Sequence, residues 1–370
     1  MDKTMMDLIR ETPDVLYDII DHGRDYTKAL VDAYLKENYE GICFIASGSS
    51  GNGCLCARPF MRHILDLGIE LYSPFTFVHH ELDHTHKQMC IAVSQSGCST
   101  NTLEALSALK EKGLKSYCLV GRDDCDAKEI ADLTLNWHVG EEKVGFVTKG
   151  VSSLVCFLMC FGIELALALD KIDETKYLRL HDKLKEAVDL QPEMIEEAIR
   201  IFDAHKEDFI ERSKVILLSS GPNYGTACEG ALKIAETSCI TAQAFEAEEF
   251  LHGPIYPSLP EDLFLVIDNN DDESSKRMVA IADALKEISS KVYVITNDPM
   301  IDDEHAFRTS KETCMYRSPL YKLACVQTLS YLMTMETNHF EPHEAVKRFS
   351  KANKVASKSR KDLYQNLQNI

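Results

Sequence analysis

The chain has 370 residues, and its 40 Lys and Arg stand against 59 Asp and Glu, a formal net charge of −19. The length accommodates about two domains of roughly 100–200 residues each, and acids spread along the whole chain oppose nucleic acid or an anionic membrane as partner. Any anionic ligand must then be captured by a local site working against the overall field.

Taken from the start, residues 1–38 carry helical patterns, and the opening MDKTMMDLIR has no apolar core of the kind a secretory signal needs. Thirteen cysteines are present, many of them (Cys43, Cys90, Cys118, Cys156, Cys160) inside apolar runs. Reduced, packed thiols in a cytoplasmic protein account for them better than disulfides. Residues 39–175 read as a first α/β domain: residues 41–65 give an apolar strand, a Gly/Ser turn and a helical pattern, and strands follow at 88–97 and 115–124. The greasy run 151–169 is interrupted by Ser152, Ser153, Gly162 and Glu164, so it reads as a buried helix and not a membrane span. A connecting helix is expected over 176–205. Residues 206–336 then repeat the first plan, with 214–236 matching 41–65, 262–271 matching 88–97, and 291–299 matching 115–124. Residues 337–370 form a helical tail. Strands alternating with helices predict two tandem parallel-sheet α/β domains of three-layer, flavodoxin-like form, with ligands at the carboxyl ends of the strands.

The two halves diverge where a ligand would bind. In the first, SQSGCST offers Ser94, Gln95, Ser96, Ser99 and Thr100 beside a glycine, and Ser49 and Ser50 follow the preceding strand. Neutral donors before a helix suit a phosphate dianion, although serines there could also do no more than cap the helix. In the second half the matching turn is Asp268, Asn269, Asn270, Asp271, Asp272, Glu273, whose carboxylates would repel phosphate. That half instead carries Glu229, Lys233 and Glu236 at i, i+4, i+7 on one helix face, and His252 sixteen positions on. A carboxylate and a histidine are a pair able to move protons. A solvated charge ladder and a structural loop histidine are the plain alternatives.

Other stretches point less sharply. HHELDHTH at residues 79–86 could ligate zinc, but no spacing puts three ligands in one regular element, and a polar loop is the expectation. The glycines at 48, 51 and 53 follow the order G-x-x-G-x-G, which is not the dinucleotide fingerprint, so no cofactor is expected.

N-Y-x-x-A-x-E-G-A-L-K-x-x-E from Asn223 to Glu236, H-G-P at His252 to Pro254, the S-Q-S-G loop and Thr148-Lys149 occur here in order. On these motifs the chain, from about Glu11 to Lys354, resembles the SIS (sugar isomerase) superfamily. The likeness is to the isomerase domain of glucosamine-6-phosphate synthase and to the fructosamine-6-phosphate deglycases. The resemblance implies a sugar phosphate held by Ser49, Ser50, Ser94, Gln95, Ser96 and Ser99, with Thr148 beside them. It also implies a proton shuttle at Glu236 with Lys233 one turn earlier, ring opening at His252, and a carbonyl-engaging lysine whose position falls on Lys347. It implies no metal or cofactor, and pairing of subunits as a homodimer. No amidotransferase segment is expected before the first helices, so cleavage of a fructosamine 6-phosphate is expected rather than the synthase reaction. Glucosamine-6-phosphate deamination, aldose–ketose isomerisation and a non-catalytic sugar-phosphate sensor stay open as alternatives. Thr76 stands where relatives often have glutamate, so that part of the site is expected to meet a different group.

Overall fold

The computed structural model describes residues 3–85, 87–269, 273–337 and 343–350. The chain divides into two units. Asp14–Asp182 and residues 343–350 belong to the first; Lys3–Pro13 and residues 183–337 belong to the second. The helix α1 (Met5–Asp21) therefore begins in the second unit, where Met5 and Ile9 pack with Ile195 and Ala324, and ends in the first.

The first unit continues through α2 (Gly23–Lys36), β1 (Gly41–Ala46), α3 (Gly48–Leu65), β2 (Gly68–Tyr72), the single turn α4 (Pro74–Thr76), β3 (Gln88–Ser94), α5 (Thr100–Glu111), β4 (Tyr117–Val120), β5 (Leu133–Asn136) and α6 (Lys149–Ala168). Its strands are all parallel, in the order β2-β1-β3-β4-β5. A parallel sheet is covered on both faces, and β1 shows it: all of GICFIA is buried. Cys43 and Ile45 with Cys90 and Ala92 of β3 face Ala105, Leu106 and Leu109 of α5. On the opposite face α6 packs along α2 and α3. α6 is long and apolar enough to cross a membrane, yet every residue from Lys149 to Ala166 is buried within this unit.

The stretch read as one connecting helix over 176–205 is instead two, α7 (Glu174–Val188) and α8 (Gln191–Ala204), because the chain turns at Asp189 and Leu190 and Pro192 starts a new helix. The second unit then runs through α9 (Lys206–Ile210), β6 (Val215–Ser219), α10 (Gly221–Ser238), β7 (Ala242–Glu246), α11 (Ala247–Leu251), β8 (Leu263–Ile267), α12 (Ser274–Leu285), β9 (Val292–Ile295), β10 (Ala306–Phe307) and α13 (Pro319–Thr337). Its order, β7-β6-β8-β9-β10, is the first unit's order repeated. The short α14 (Glu344–Ser350) follows. Of residues 79–86, read as a polar loop, those up to His84 wind into a wide helical turn at Phe77–Glu81 and a tight one at Leu82–His84.

In both units the strand order reverses beside the first strand, between β1 and β3 and between β6 and β8. At such a point the loops leaving two neighbouring strands diverge and open a crevice. Ala46 lies level with Val93, and Ser219 with Ile267, so each pair of loops starts at the same height.

Candidate active site

In the first unit the crevice is a cavity of about 370 Å³ lined by Ser47, Ser49, Ser50, Ser94, Gln95, Ser96 and Ser99 among others. Six residues expected from the sequence thus come together, from the amino end of α3 and from the β3–α5 turn. The capping alternative is not realised: Ser47 and Ser99 stand at the N-cap positions of α3 and α5, but neither side chain makes a capping bond. Hydroxyl side chains from the starts of both helices line the same hollow, an arrangement suited to an anion. Ser94 Oγ lies 3.5 Å from Ser96 Oγ and 3.3 Å from Ser99 Oγ and accepts from the Gly97 N–H at 3.2 Å. Gly97 has φ +62°, and a Cβ there would stand 2.6 Å from Cys125 Cβ, so the turn tolerates no side chain.

Thr148 does not line the cavity. It is buried behind it, its hydroxyl donating to the Phe146 carbonyl at 3.0 Å. Gln95 lines the wall, but its amide is engaged: Nε2 donates to Glu142 Oε2 at 2.8 Å. Glu142 also accepts from the backbone N–H of Gly150 at 3.1 Å and from that of Thr148. One half-buried carboxylate, itself in the cavity wall, therefore ties the serine turn to the start of α6. Burial pushes it above the usual carboxylate range, while these donors and Lys149 pull it back. The packing is tight: a Cβ on Gly150 would come within 2.0 Å of Gln95 Oε1. Nothing in the sequence singles out Glu142, since Gly-Glu-Glu-Lys reads as a solvated run and no local pattern marks it.

In the second unit, Glu229, Lys233 and Glu236 form a ladder on α10. Lys233 is 1% exposed, its Nζ 2.6 Å from Glu236 Oε2 and 3.6 Å from Glu229 Oε1. Glu229 is fully buried, whereas the Glu236 side chain is 38% exposed. The ladder is thus not a solvated face: two rungs are inside, and the third carries an accessible carboxylate. α10 can take this shape because Gly230 lets it close on the core, where a Cβ would meet Leu217 at 2.7 Å and Val326 at 2.9 Å. His252 is exposed in the turn that ends α11. Glu246 fixes the start of that helix by accepting from the N–H groups of Glu248 and Glu249 at 2.8 and 3.0 Å.

The second unit's own crevice is occupied by its side chains. Asp268 accepts from the Asn269 N–H at 2.6 Å and from Thr296 Oγ1 at 2.8 Å, and Asn223 Nδ2 reaches the Asp268 carbonyl at 3.1 Å and Ser318 Oγ at 2.8 Å. A carboxylate of the chain, Asp268, thus sits at the place where the first unit has its cavity. Asn270, Asp271 and Asp272 lie outside the described residues. Lys322, buried on α13, donates to the Asp268 carbonyl. Burial lowers its ammonium from the ordinary 10.5 to about 8, against the pull of Asp268 and Glu312. Between those values the unfolded chain binds the extra proton, so this lysine makes stability rise with pH from about 8 to 10.5. Lys322→Met should remove that rise; denaturation curves at pH 8 and 10 with the same difference in parent and variant would refute it.

Lys347 lies on α14, its Nζ 3.0 Å from Glu344 Oε1. His79, His80, Glu81, Asp83 and His84 occupy the two turns after α4, and His86 lies outside the described residues. Among the described residues no three His, Cys, Asp or Glu side chains converge on a metal-sized position. Thr76 ends α4, its N–H held by Ser73 Oγ at 3.3 Å.

Comparison with known proteins matches this architecture. A family model described as the SIS domain matches residues 37–162 and 208–337, one copy in each unit. A glutamine–fructose-6-phosphate aminotransferase (isomerizing) from Thermococcus kodakarensis is 30% identical over 256 residues, which cover 68% of this chain and 41% of that protein. The chain thus spans less than half the length of this relative. Among solved structures, the C-terminal domain of glucosamine-fructose-6-phosphate aminotransferase from Francisella tularensis superposes with TM-score 0.77 at 20% identity, over 91% of this chain and 97% of that one. Glucosamine-6-phosphate deaminase from Thermotoga maritima gives 0.67 at 19% identity, over 90% and 98%.

Proposed function

The chain belongs to the SIS domain family, and we propose that it is a phosphosugar deglycase or isomerase that cleaves a fructosamine 6-phosphate into an aldose 6-phosphate and an amine. The observation that carries this reading is the hydroxyl-lined cavity at the first unit's switch point, where serines from two helix starts gather in a strongly acidic chain. The second unit supports the chemistry: Lys233 fixes a half-exposed carboxylate at Glu236, as a base needs.

The phosphate is held by Ser94, Ser96 and Ser99 with Ser49 and Ser50, and His252 assists opening of the furanose to the C2 ketone. Glu236 takes a proton from C1, giving an enaminol, and returns a proton to C2, giving the aldimine. Water adds at C1, the C1–N bond breaks, and the amine leaves with the proton it needs. A single base serves because the two carbons are adjacent. Lys347 is assigned no step. Thr148 and Gln95 act through the backbone and through Glu142, not on the phosphate. A homodimer is part of the reading, and light scattering of the purified chain checks it.

Glu142 is a positioning residue in this scheme. Glu142→Gln should raise KM for the sugar phosphate about 10- to 100-fold with kcat nearly kept, since bonds to a charged acceptor are worth roughly 1.5–3 kcal/mol each. A loss confined to kcat would contradict that role.

The test of the function is glucose 6-phosphate release from a panel of fructosamine 6-phosphates, beside ammonia release from glucosamine 6-phosphate. Aldose phosphate and free amine in equal amounts support the reading. Ammonia from glucosamine 6-phosphate alone makes the protein a deaminase, and tight binding without product makes it a sensor.

A further inference from the structure

A second hollow lies in the first unit, away from the serine turn. It has a volume of about 330 Å³ and is lined by Arg58 and Arg62 of α3 and by all five residues of β2, Gly68 to Tyr72. Arg58 and Arg62 are one helical turn apart, so both guanidiniums stand on one face of α3. Adjacent like charges at this spacing oppose each other, and Arg58 is half-buried as well. Burial and then the Arg62 charge pull the Arg58 guanidinium below its ordinary value, and Glu70 only partly offsets them. Among the described residues neither arginine forms an ion pair, although acids outnumber bases in this chain and Lys87, Lys112, Lys115 and Lys128 of the same unit each have a carboxylate partner. Glu70, in the same wall, instead accepts from the Tyr72 hydroxyl at 3.2 Å.

We infer that this hollow is a second anion site, in which Arg58 and Arg62 clamp the phosphate or carboxylate group of a small metabolite. Two guanidinium forks one turn apart match the paired oxygens of such a group, and an oxyanion would relieve both their mutual repulsion and the desolvation of Arg58. β2 is an edge strand, so the hollow is not closed by a further strand. The site shares α3 with the serine cavity, whose lining includes Ser49 and Ser50 at the other end of that helix. Eight residues of helix separate Ser50 from Arg58, about 12 Å, which exceeds the roughly 8 Å screening length at physiological salt. The two anions should therefore bind nearly independently. This inference does not depend on the reaction proposed above.

The test is calorimetric titration of the whole chain with inorganic phosphate, then with glucose 6-phosphate and with succinate. The parent should take up two equivalents of inorganic phosphate. Arg58→Gln/Arg62→Gln should lose one of them, with at least a tenfold fall in that affinity, a Tm no lower than the parent's and unchanged activity. Ser96→Ala/Ser99→Ala should lose the other and keep the arginine site. Arg58→Lys/Arg62→Lys, which keeps the charge without the fork, should bind weakly at the same place. Succinate binding that survives the serine changes assigns the site to carboxylates, and glucose 6-phosphate binding there assigns it to phosphate esters. One equivalent in the parent, lost only with the serines, or two equivalents kept in the double glutamine variant, would overturn the inference.

Discussion

Glu236→Gln is expected to bind a sugar 6-phosphate as the parent does and to lose turnover by about 10²- to 10⁴-fold, the usual worth of a positioned general base. The carboxamide can still accept from Lys233 Nζ, which stands 2.6 Å from Glu236 Oε2, so the ladder keeps its geometry. What it cannot do is carry a proton between two carbons. Because the proposed phosphate donors lie in the first unit and Glu236 in the second, binding and turnover should separate cleanly in this variant. Calorimetry with glucose 6-phosphate beside a steady-state assay measures both. Retention of full turnover would remove Glu236 from the mechanism.

Lys233→Met should cost stability as well as activity. Lys233 is 1% exposed and Glu229 is fully buried, 3.6 Å from its Nζ. Taking away the ammonium leaves a carboxylate inside the protein with its counter-charge gone, a change that costs about 3–5 kcal/mol where buried pairs have been broken. The double change Glu229→Gln/Lys233→Met removes the stranded charge too and should recover much of that loss. Urea denaturation of the three proteins decides it: a single variant within about 1 kcal/mol of the parent, the usual ceiling for an exposed pair, would mean that the pair contributes as a surface bridge does.

Much of this structure was legible in the order of residues. GICFIA and VILLS have no polar side to offer solvent, which is how a strand buried on both faces reads, and the repeated strand-turn-helix plan gave two sheets of one topology. The neutral turn after β3 and the acidic one after β8 told the two crevices apart, and in the structure one is open while the other is filled by Asp268. Glu142 was hidden because its burial comes from docking against Gln95, forty-seven residues away, and not from any local period. Lys322 did leave a trace, a single cation in the apolar run LYKLACVQTL, but pattern alone does not say what a buried ammonium meets. The break between α7 and α8 was marked by Pro192, outweighed by strong helical periodicity on both sides. Residues 79–86 carry no apolar period, so a polar loop was the natural expectation, and the turns found up to His84 bury Phe77 and Leu82.

The proton transfer itself can be observed without waiting for product to accumulate. In D₂O, with a fructosamine 6-phosphate as substrate, proton NMR should show one C1 hydrogen leaving the unreacted pool or arriving at C2 of the aldose phosphate, and neither event with Glu236→Gln. If the substrate is consumed while both C1 hydrogens stay in place in the sugar phosphate released, the carbon–nitrogen bond is being broken by another route and Glu236 is not a base that moves a proton from C1 to C2.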